Sequence, residues 1–297
     1  MQKELYLNIS KLNREYIQEQ IKNNSEIPEF ICLVPKDDQS SEQMLRGNGF
    51  RYVGKRIVDG KVMVVFKWFR DITTEYEDMR SFFNRRAFDY DFHMSDGHEN
   101  YGEVFSKLLE DIPQTDKKIN ILDLGCGTGA ELLAIFQKAP QAHVVCMDVA
   151  EKMLDILVET HTKYRNNITT VCASYLESDL GNNTYDYIVA CNTLHHLLAE
   201  DKLELYSGIH KGLKKNGYLL VLDWLANNPE EEQSAREKYL ALRKNGDISG
   251  TEIYHIDLIM TREHEISILE TAGFTCTSVE SVFGSGIIIS ACASRDK

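Results

Sequence analysis

The residues whose types and spacing best suit chemistry lie between Ile121 and Gly129, which read I-L-D-L-G-C-G-T-G. A short apolar run opens into glycines at 125, 127 and 129 and then enters a helical pattern over 130–138, which describes a buried strand turning tightly into a helix. Glycine suits such a turn because its backbone takes conformations that a Cβ forbids, and because a ligand can approach the main chain closely. The start of the helix adds unpaired N–H groups. Two carboxylates frame the turn. Asp123 stands two residues before Gly125, where it would repel a pyrophosphate but could hold a cationic amino group. Asp148 ends the apolar run 143–147, 19 residues after Gly129, where a second strand tip presents an acceptor to ribose hydroxyls. The glycines alone are a weak signal, since Gly125, Gly127 and Ala130 also fit the dinucleotide form G-x-G-x-x-A.

The whole pattern, D-x-G-x-G-x-G with an acidic residue at the next strand tip, resembles the class I S-adenosylmethionine-dependent methyltransferases. The resemblance implies S-adenosyl-L-methionine as cofactor, with Asp123, Gly125, Cys126, Gly127, Gly129, Asp148, Val149 and Met153 around it. The third strand ends in V-C-A-S-Y, placing Ala173, Ser174 and Tyr175 where the family typically has an Asp or similar group contacting adenine; this chain has Ser174 instead. The fourth tip, A-C-N-T-L-H-H-L, resembles the segment beneath the methionine part of the cofactor, with Asn192 and Leu194 as lining residues.

The stretch Phe82 to Ser95 resembles the segment F-F-x-x-R-A-x-x-Y-D that folds over the cofactor as a lid in small-molecule methyltransferases, matching at Phe82, Phe83, Arg86, Ala87, Tyr90 and Asp91. Phosphoethanolamine methyltransferases pair a histidine of a similar I-L-H-L segment with a lid tyrosine. By that likeness the catalytic candidates are His196, slightly preferred over His195, with Tyr90 or Tyr101. Two adjacent histidines on an extended segment cannot both face inward, so one of the two is expected to be structural. Asp223 and Trp224 mark the fifth strand tip, near the expected acceptor, and Tyr254, His255 and Asp257 are placed over the same mouth.

The elements that must position these residues follow from hydrophobic period. From 118 onward strands are expected near 119–124, 143–147, 168–172, 185–191 and 217–223, with helices near 129–138, 150–163, 199–214 and 229–244. Alternation of this kind makes a parallel sheet with crossover helices. Asn228 as N-cap, Pro229 at the first helical position and three glutamates after it mark one helix start. A helix over 261–272, stopped by Gly273, leads to strands near 274–280 and 286–293, which lack a helix between them and must pair antiparallel. The expected fold is a doubly wound, mostly parallel, seven-stranded α/β sheet, Rossmann-like, with an antiparallel last strand.

Before this domain, residues 5–24 have helical spacing up to Pro28, 29–34 read as a strand, 40–46 as a helix, and 50–58 with 61–68 as a hairpin turning at Asp59-Gly60. The segment Leu33 to Ile57 resembles the last part of the acetyl-CoA-dependent N-acetyltransferases, without that family's pyrophosphate loop, and is read as a non-catalytic α/β appendage. The expected organisation is an appendage over 1–72, lid helices over 73–118 and the cofactor-binding domain over 119–297.

The 297 residues carry a net charge of −13, unevenly placed. Residues 1–72 hold 12 basic and 10 acidic side chains, leaving 21 basic and 36 acidic on the other 225. So acidic a surface disfavours nucleic acid and favours a small-molecule acceptor or a basic protein. No apolar run reaches membrane-spanning length, and the N-terminus lacks a signal-peptide core, so a cytoplasmic protein is expected. Seven cysteines scattered through apolar segments, without C-x-x-C pairs, read as small hydrophobes rather than disulfide or zinc ligands, and no metal is expected. The function expected is methyl transfer from S-adenosylmethionine to a small molecule. The alternatives are a carboxy-S-adenosylmethionine synthase, which shares T-L-H-H-L and A-G-F but whose basic cluster is not found here, and an NAD-linked oxidoreductase.

Overall fold

A computed structural model describes residues 4–69, 76–87, 90, 101–249, 252–282 and 284–293. The chain packs as two compact units, one of residues 1–75 with 85–99 and the other of 76–84 with 100–297. The segment expected as a lid is therefore divided between them.

In the first unit, β1 (Glu4–Tyr6), β2 (Glu29–Pro35), β3 (Arg51–Val58) and β4 (Lys61–Phe69) form a sheet in the order β1-β2-β4-β3, with α1 (Arg14–Asn23) and α2 (Gln39–Gly47) between strands. The hairpin turns at Asp59 and Gly60, both with positive φ, as the Asp-Gly pair predicts. The expected helix over 5–24 is corrected. Leu5 and Leu7 sit on and beside a strand parallel to β2, a short 3-10 turn follows at Ile9–Lys11, and the helix starts only after Asn13, whose side chain accepts the N–H of Tyr16. Leu5, Leu7 and Ile9 all pack on one core, so the alternation at these positions outweighed a helical period.

The second unit holds seven strands, β5 (Asn120–Leu124), β6 (His143–Asp148), β7 (Ile168–Cys172), β8 (Tyr185–Cys191), β9 (Leu213–Trp224), β10 (Thr275–Ser281) and β11 (Gly286–Cys292), in the order β10-β11-β9-β8-β5-β6-β7. The pairs β5–β6, β5–β8, β6–β7 and β8–β9 are parallel, whereas β11 runs antiparallel to both β9 and β10. This is the expected doubly wound sheet with its reversed last strand. The helices are α3 (Met79–Arg86, whose last two residues group with the first unit), α4 (Tyr101–Leu108), α5 (Leu132–Lys138), α6 (Glu151–Thr160), α7 (Ala199–Gly212), α8 (Pro229–Asn245) and α9 (Arg262–Thr271). The α8 start is as read: the Asn228 side chain accepts the N–H of Glu231, Pro229 is the first residue, and Gly246 closes the helix in the left-handed region.

Core packs on both faces of this sheet, one cluster around Leu122, Ile188, Tyr206 and Leu219 and another around Ile121, Leu132, Phe136 and Val144. Strand order reverses between β5 and β8, so their carboxyl ends open the crevice where ligands of such sheets bind. All seven cysteines are free; Cys172 is exposed, against expectation, because its strand lies at the sheet edge. No helix among the described residues is long and apolar enough to cross a membrane.

Candidate functional site

At the reversal point the glycine turn leaves β5 with positive φ at Gly125, Gly127 and Gly129. The three serve different ends. A Cβ on Gly125 would stand 2.2 Å from Thr193 Oγ1, so this glycine lets the tips of β5 and β8 close on each other. A Cβ on Gly129 would meet Leu132 at 2.6 Å, allowing α5 to pack. Nothing lies within 4 Å of the Cβ position of Gly127, which opens the main chain to a ligand.

Asp148 closes the turn from β6. Its carboxylate accepts the N–H of Gly127 at 3.0 Å and of Ala150 at 2.7 Å. Burial raises its pKa, and the same N–H groups oppose that rise. Val149 is half-buried and Met153 buried behind it. At the tip of β7, Ala173 donates its N–H to the Asp148 carbonyl, and the half-buried Ser174 accepts the N–H of Leu176. Tyr175 is buried, its hydroxyl donating to the Thr193 carbonyl at 3.2 Å and lying as near Thr193 Oγ1, which ties the third tip to the fourth.

Asp123 is fully buried with both carboxylate oxygens lacking a hydrogen-bond partner, and Glu131, also buried, has an unpartnered Oε1. Burial, then the neighbouring Glu131 carboxylate, pushes the Asp123 pKa well up. Buried polar atoms are seldom left so, and an acidic orphan beside a ligand turn fits a cation. Cys126 is buried in the same region, and burial raises its thiol.

After β8 the chain enters Asn192, half-buried with φ 51°, and then a 3-10 turn over Leu194–His196. Leu194 packs wholly into the core. Both histidines are buried, which corrects the expectation that only one could face inward. Successive side chains of a 3-10 turn point about 120° apart rather than to opposite faces, so both can turn in. His195 donates Nδ1–H to buried Asp223, at the end of β9, which also accepts the N–H groups of Leu194 and Trp224. Burial alone would raise the Asp223 pKa; His195, Lys202 and the Trp224 N–H outweigh it and hold the carboxyl below its ordinary range. His195 Nε2, the ring nitrogen not bonded to Asp223, lies 3.8 Å from exposed Asp257.

His196 donates Nδ1–H to the Ile256 carbonyl at 3.0 Å, and burial, with His195 and His255 beside it, drives its pKa well down. His195, His196 and Asp257 bring three donor atoms within 4.8 Å of one another, the group among the described residues with metal-ligand chemistry.

Part of the segment read as a lid, residues 76–84, packs on the loop around Tyr254. His255 donates its N–H to the Glu77 carbonyl and Met79 to that of Ile253, while the Phe82 ring stacks on His255 at 3.6 Å. Asn84 accepts the N–H of Lys152 at the start of α6. Residues 76–84 thus span from the 253–257 loop to the helix that follows Asp148. Tyr90 is half-buried and falls in the first unit. The Tyr101 side chain and Asp91 lie outside the described residues.

Sequence reasoning missed Glu131 and the orienting roles of Asp223 and Thr193. It also missed a buried network in which Lys202 donates to Glu265 at 2.6 Å and Tyr206 donates to the same carboxylate. Lys202 shares the stripe 202, 205, 206, 209 with core residues, a spacing that marks it as inward. A cavity of about 490 Å³ between α7, α8 and α9, lined by Leu198, Leu258, Met260 and Ile268, contains none of the turn residues and is not the cofactor crevice.

Residues 121–217 match the family model described as a methyltransferase domain. The chain is 27% identical over 157 residues to a phosphoethanolamine N-methyltransferase of Plasmodium falciparum (isolate 3D7), covering 52% of this chain and 58% of that protein. It is 28% identical over 141 residues to a carboxy-S-adenosyl-L-methionine synthase of Shewanella sediminis (strain HAW-EB3), covering 45% and 56%. The chain thus spans little more than half the length of these relatives. Among solved structures it resembles geranyl diphosphate C-methyltransferase from Streptomyces coelicolor A3(2), in complex with Mg2+, geranyl-S-thiolodiphosphate and S-adenosyl-L-homocysteine, with TM-score 0.52, 11% identity and 66% and 77% of the two chains covered.

Proposed function

We propose, from the premise that this chain belongs to the class I S-adenosylmethionine-dependent methyltransferase family, that it transfers the methyl of S-adenosylmethionine to a small-molecule acceptor. The observation that carries this reading is the pairing of open space at Gly127 with the partnerless buried carboxylate of Asp123, an acceptor suited to a ligand with a cationic end. Asp148, held at the turn, keeps lone pairs that can accept from ribose hydroxyls. Val149, Met153, Ala173, Ser174 and Asn192 line the rest of the seat in this reading.

When bound, the cofactor supplies an activated sulfonium methyl, so most of the chemistry left to the protein is alignment. His195 serves as general base: Asp223 fixes its tautomer, leaving Nε2 to take a proton from an acceptor hydroxyl or ammonium. His196, its Nδ1–H held by the Ile256 carbonyl, supports the loop, and Asp257 and Phe82-stacked His255 border the acceptor. The geometry thus moves the preference from His196 to His195. In this reading residues 1–72 take no part in the chemistry, and their deletion should leave cofactor binding intact.

Likeness to a carboxy-S-adenosyl-L-methionine synthase supports a second reading. Mass spectrometry separates the two, after incubation with S-adenosylmethionine and a panel of hydroxyl, amine and thiol acceptors and, in a parallel arm, with S-adenosylmethionine and a panel of carboxylic acids able to give up a carboxyl group. Methyl transfer yields S-adenosylhomocysteine and a methylated acceptor, whereas the synthase yields a carboxylated cofactor. Failure of the whole panel to release S-adenosylhomocysteine, with carboxylated cofactor present, would overturn the first.

A further inference from the structure

Glu131 is the residue just before α5, at the end of the glycine turn, and its side chain is buried beside Asp123. Asp123 has no partner for either oxygen, and Glu131 has none for Oε1. Ionised carboxylates only accept hydrogen bonds, so nothing but a proton or another donor can join two of them. The groups that face the pair are Cys146 and Asp148 from β6, Cys126 from the turn and Cys191 from β8; none is a cation. Two like charges cannot both persist at such a site without one. Bulk water does not solve the problem, because Asp123 is buried among protein atoms at the foot of the turn that Gly127 leaves open.

We propose that Asp123 and Glu131 together seat the positively charged amino-acid end of the cofactor, that they share one proton while no cation is there, and that the incoming ammonium displaces that proton to solvent. This rests on the methyltransferase reading and adds to it a second carboxylate, Glu131, and a proton count. The balance is simple: the ligand brings one positive charge and the pair gives up another. The acid pair therefore discriminates for the cationic end of the cofactor and against neutral or anionic nucleotides. Because the proton must leave, affinity rises with pH across the range in which the pair holds it, by up to about tenfold per pH unit for one proton.

The test is titration calorimetry of the full chain with S-adenosylhomocysteine, S-adenosylmethionine and 5′-methylthioadenosine, in phosphate and in Tris at one pH. Both full ligands carry the ammonium, and methylthioadenosine lacks it. Release of about one proton with each full ligand and none with methylthioadenosine supports the proposal. Glu131→Gln should abolish the release and weaken S-adenosylhomocysteine by about 10- to 100-fold, the loss of a hydrogen bond to a charged group. If that variant does not fold, the wild-type proton counts still decide. Buffer-independent heats for the full ligands, or equal release with methylthioadenosine, overturn the proposal while leaving the methyltransferase reading in place. No binding of either full ligand would overturn that reading as well.

Discussion

Alanine at Gly125 and at Gly127 should damage the protein in different ways, although both glycines belong to one motif and both have positive φ, 64° and 51°. Holding alanine in the left-handed region costs about 1–2 kcal/mol at either site. At Gly127 that is the whole structural cost, because no atom lies within 4 Å of the new methyl. At Gly125 the methyl meets Thr193 Oγ1 at 2.2 Å and Thr193 Cβ at 2.7 Å. Thr193 cannot simply rotate away, since its Cβ is itself too near and its hydroxyl and carbonyl both contact the Tyr175 phenol. Overpacking of this kind adds about 1–3 kcal/mol, so Gly125→Ala should lose about 2–5 kcal/mol in urea denaturation against about 1–2 for Gly127→Ala. Binding should reverse the ranking per unit of stability: Gly127→Ala stays folded yet loses S-adenosylhomocysteine affinity by more than about tenfold, because its methyl occupies the space a ligand needs at the main chain. Calorimetry on the folded variant reads this directly. Wild-type affinity in Gly127→Ala would refute the argument that the cofactor lies against this turn.

His195→Gln and Asp223→Asn should each lower turnover by about 10²- to 10⁴-fold while cofactor affinity stays within a few fold, and steady-state kinetics beside calorimetry would show whether the dyad is a base or only a brace. Lys202→Ala should destabilise the fold by about 3–5 kcal/mol in urea, because it strands the buried Glu265 carboxylate; a loss under 1 kcal/mol would mean water replaces the lysine. His196 is held neutral in the fold by burial, so between its lowered folded pKa and the unfolded value near 6.5 the unfolded chain binds more protons. Its contribution to stability is full above about pH 6.5 and falls as pH drops through the folded pKa. Denaturation midpoints measured from pH 8 to 5 should decline in the wild type and decline less in His196→Phe; parallel curves would contradict the assignment.

Local chemistry explains what was legible in the sequence. The β5 turn, the Asp59-Gly60 hairpin and the Asn228-Pro229 helix start are each dictated by residues within a few positions of one another, and all three stand where their spacing put them. The mostly parallel character of the sheet followed from alternation of strands and helices, and its reversed last strand from two strands with no helix between them. What escaped were features held by distant partners. The 3-10 turn at Leu194–His196 depends on Asp223, 28 residues on from His195, and on the Leu258 N–H donated to the His195 carbonyl. Reading that stretch as extended therefore gave the wrong facing for one histidine. The Lys202–Glu265–Tyr206 network bridges α7 and α9 across 63 residues. Glu131 looked like an ordinary acidic residue of a helix start, and only its burial beside Asp123 gives it a different meaning. Leu5 and Leu7 were claimed by a helical period that their alternation with Tyr6 should have overruled, once a parallel neighbour such as β2 was available.

The central claim, that the glycine turn with Asp123 and Asp148 receives S-adenosylmethionine, is tested most directly by calorimetric titration of the purified chain with S-adenosylmethionine and, separately, with NAD. The account predicts saturable binding of S-adenosylmethionine, weakened by about 1.5–3 kcal/mol in Asp123→Asn as a charged hydrogen-bond partner is lost, and no heat with NAD. Saturable binding of NAD, with no response to S-adenosylmethionine, would contradict it.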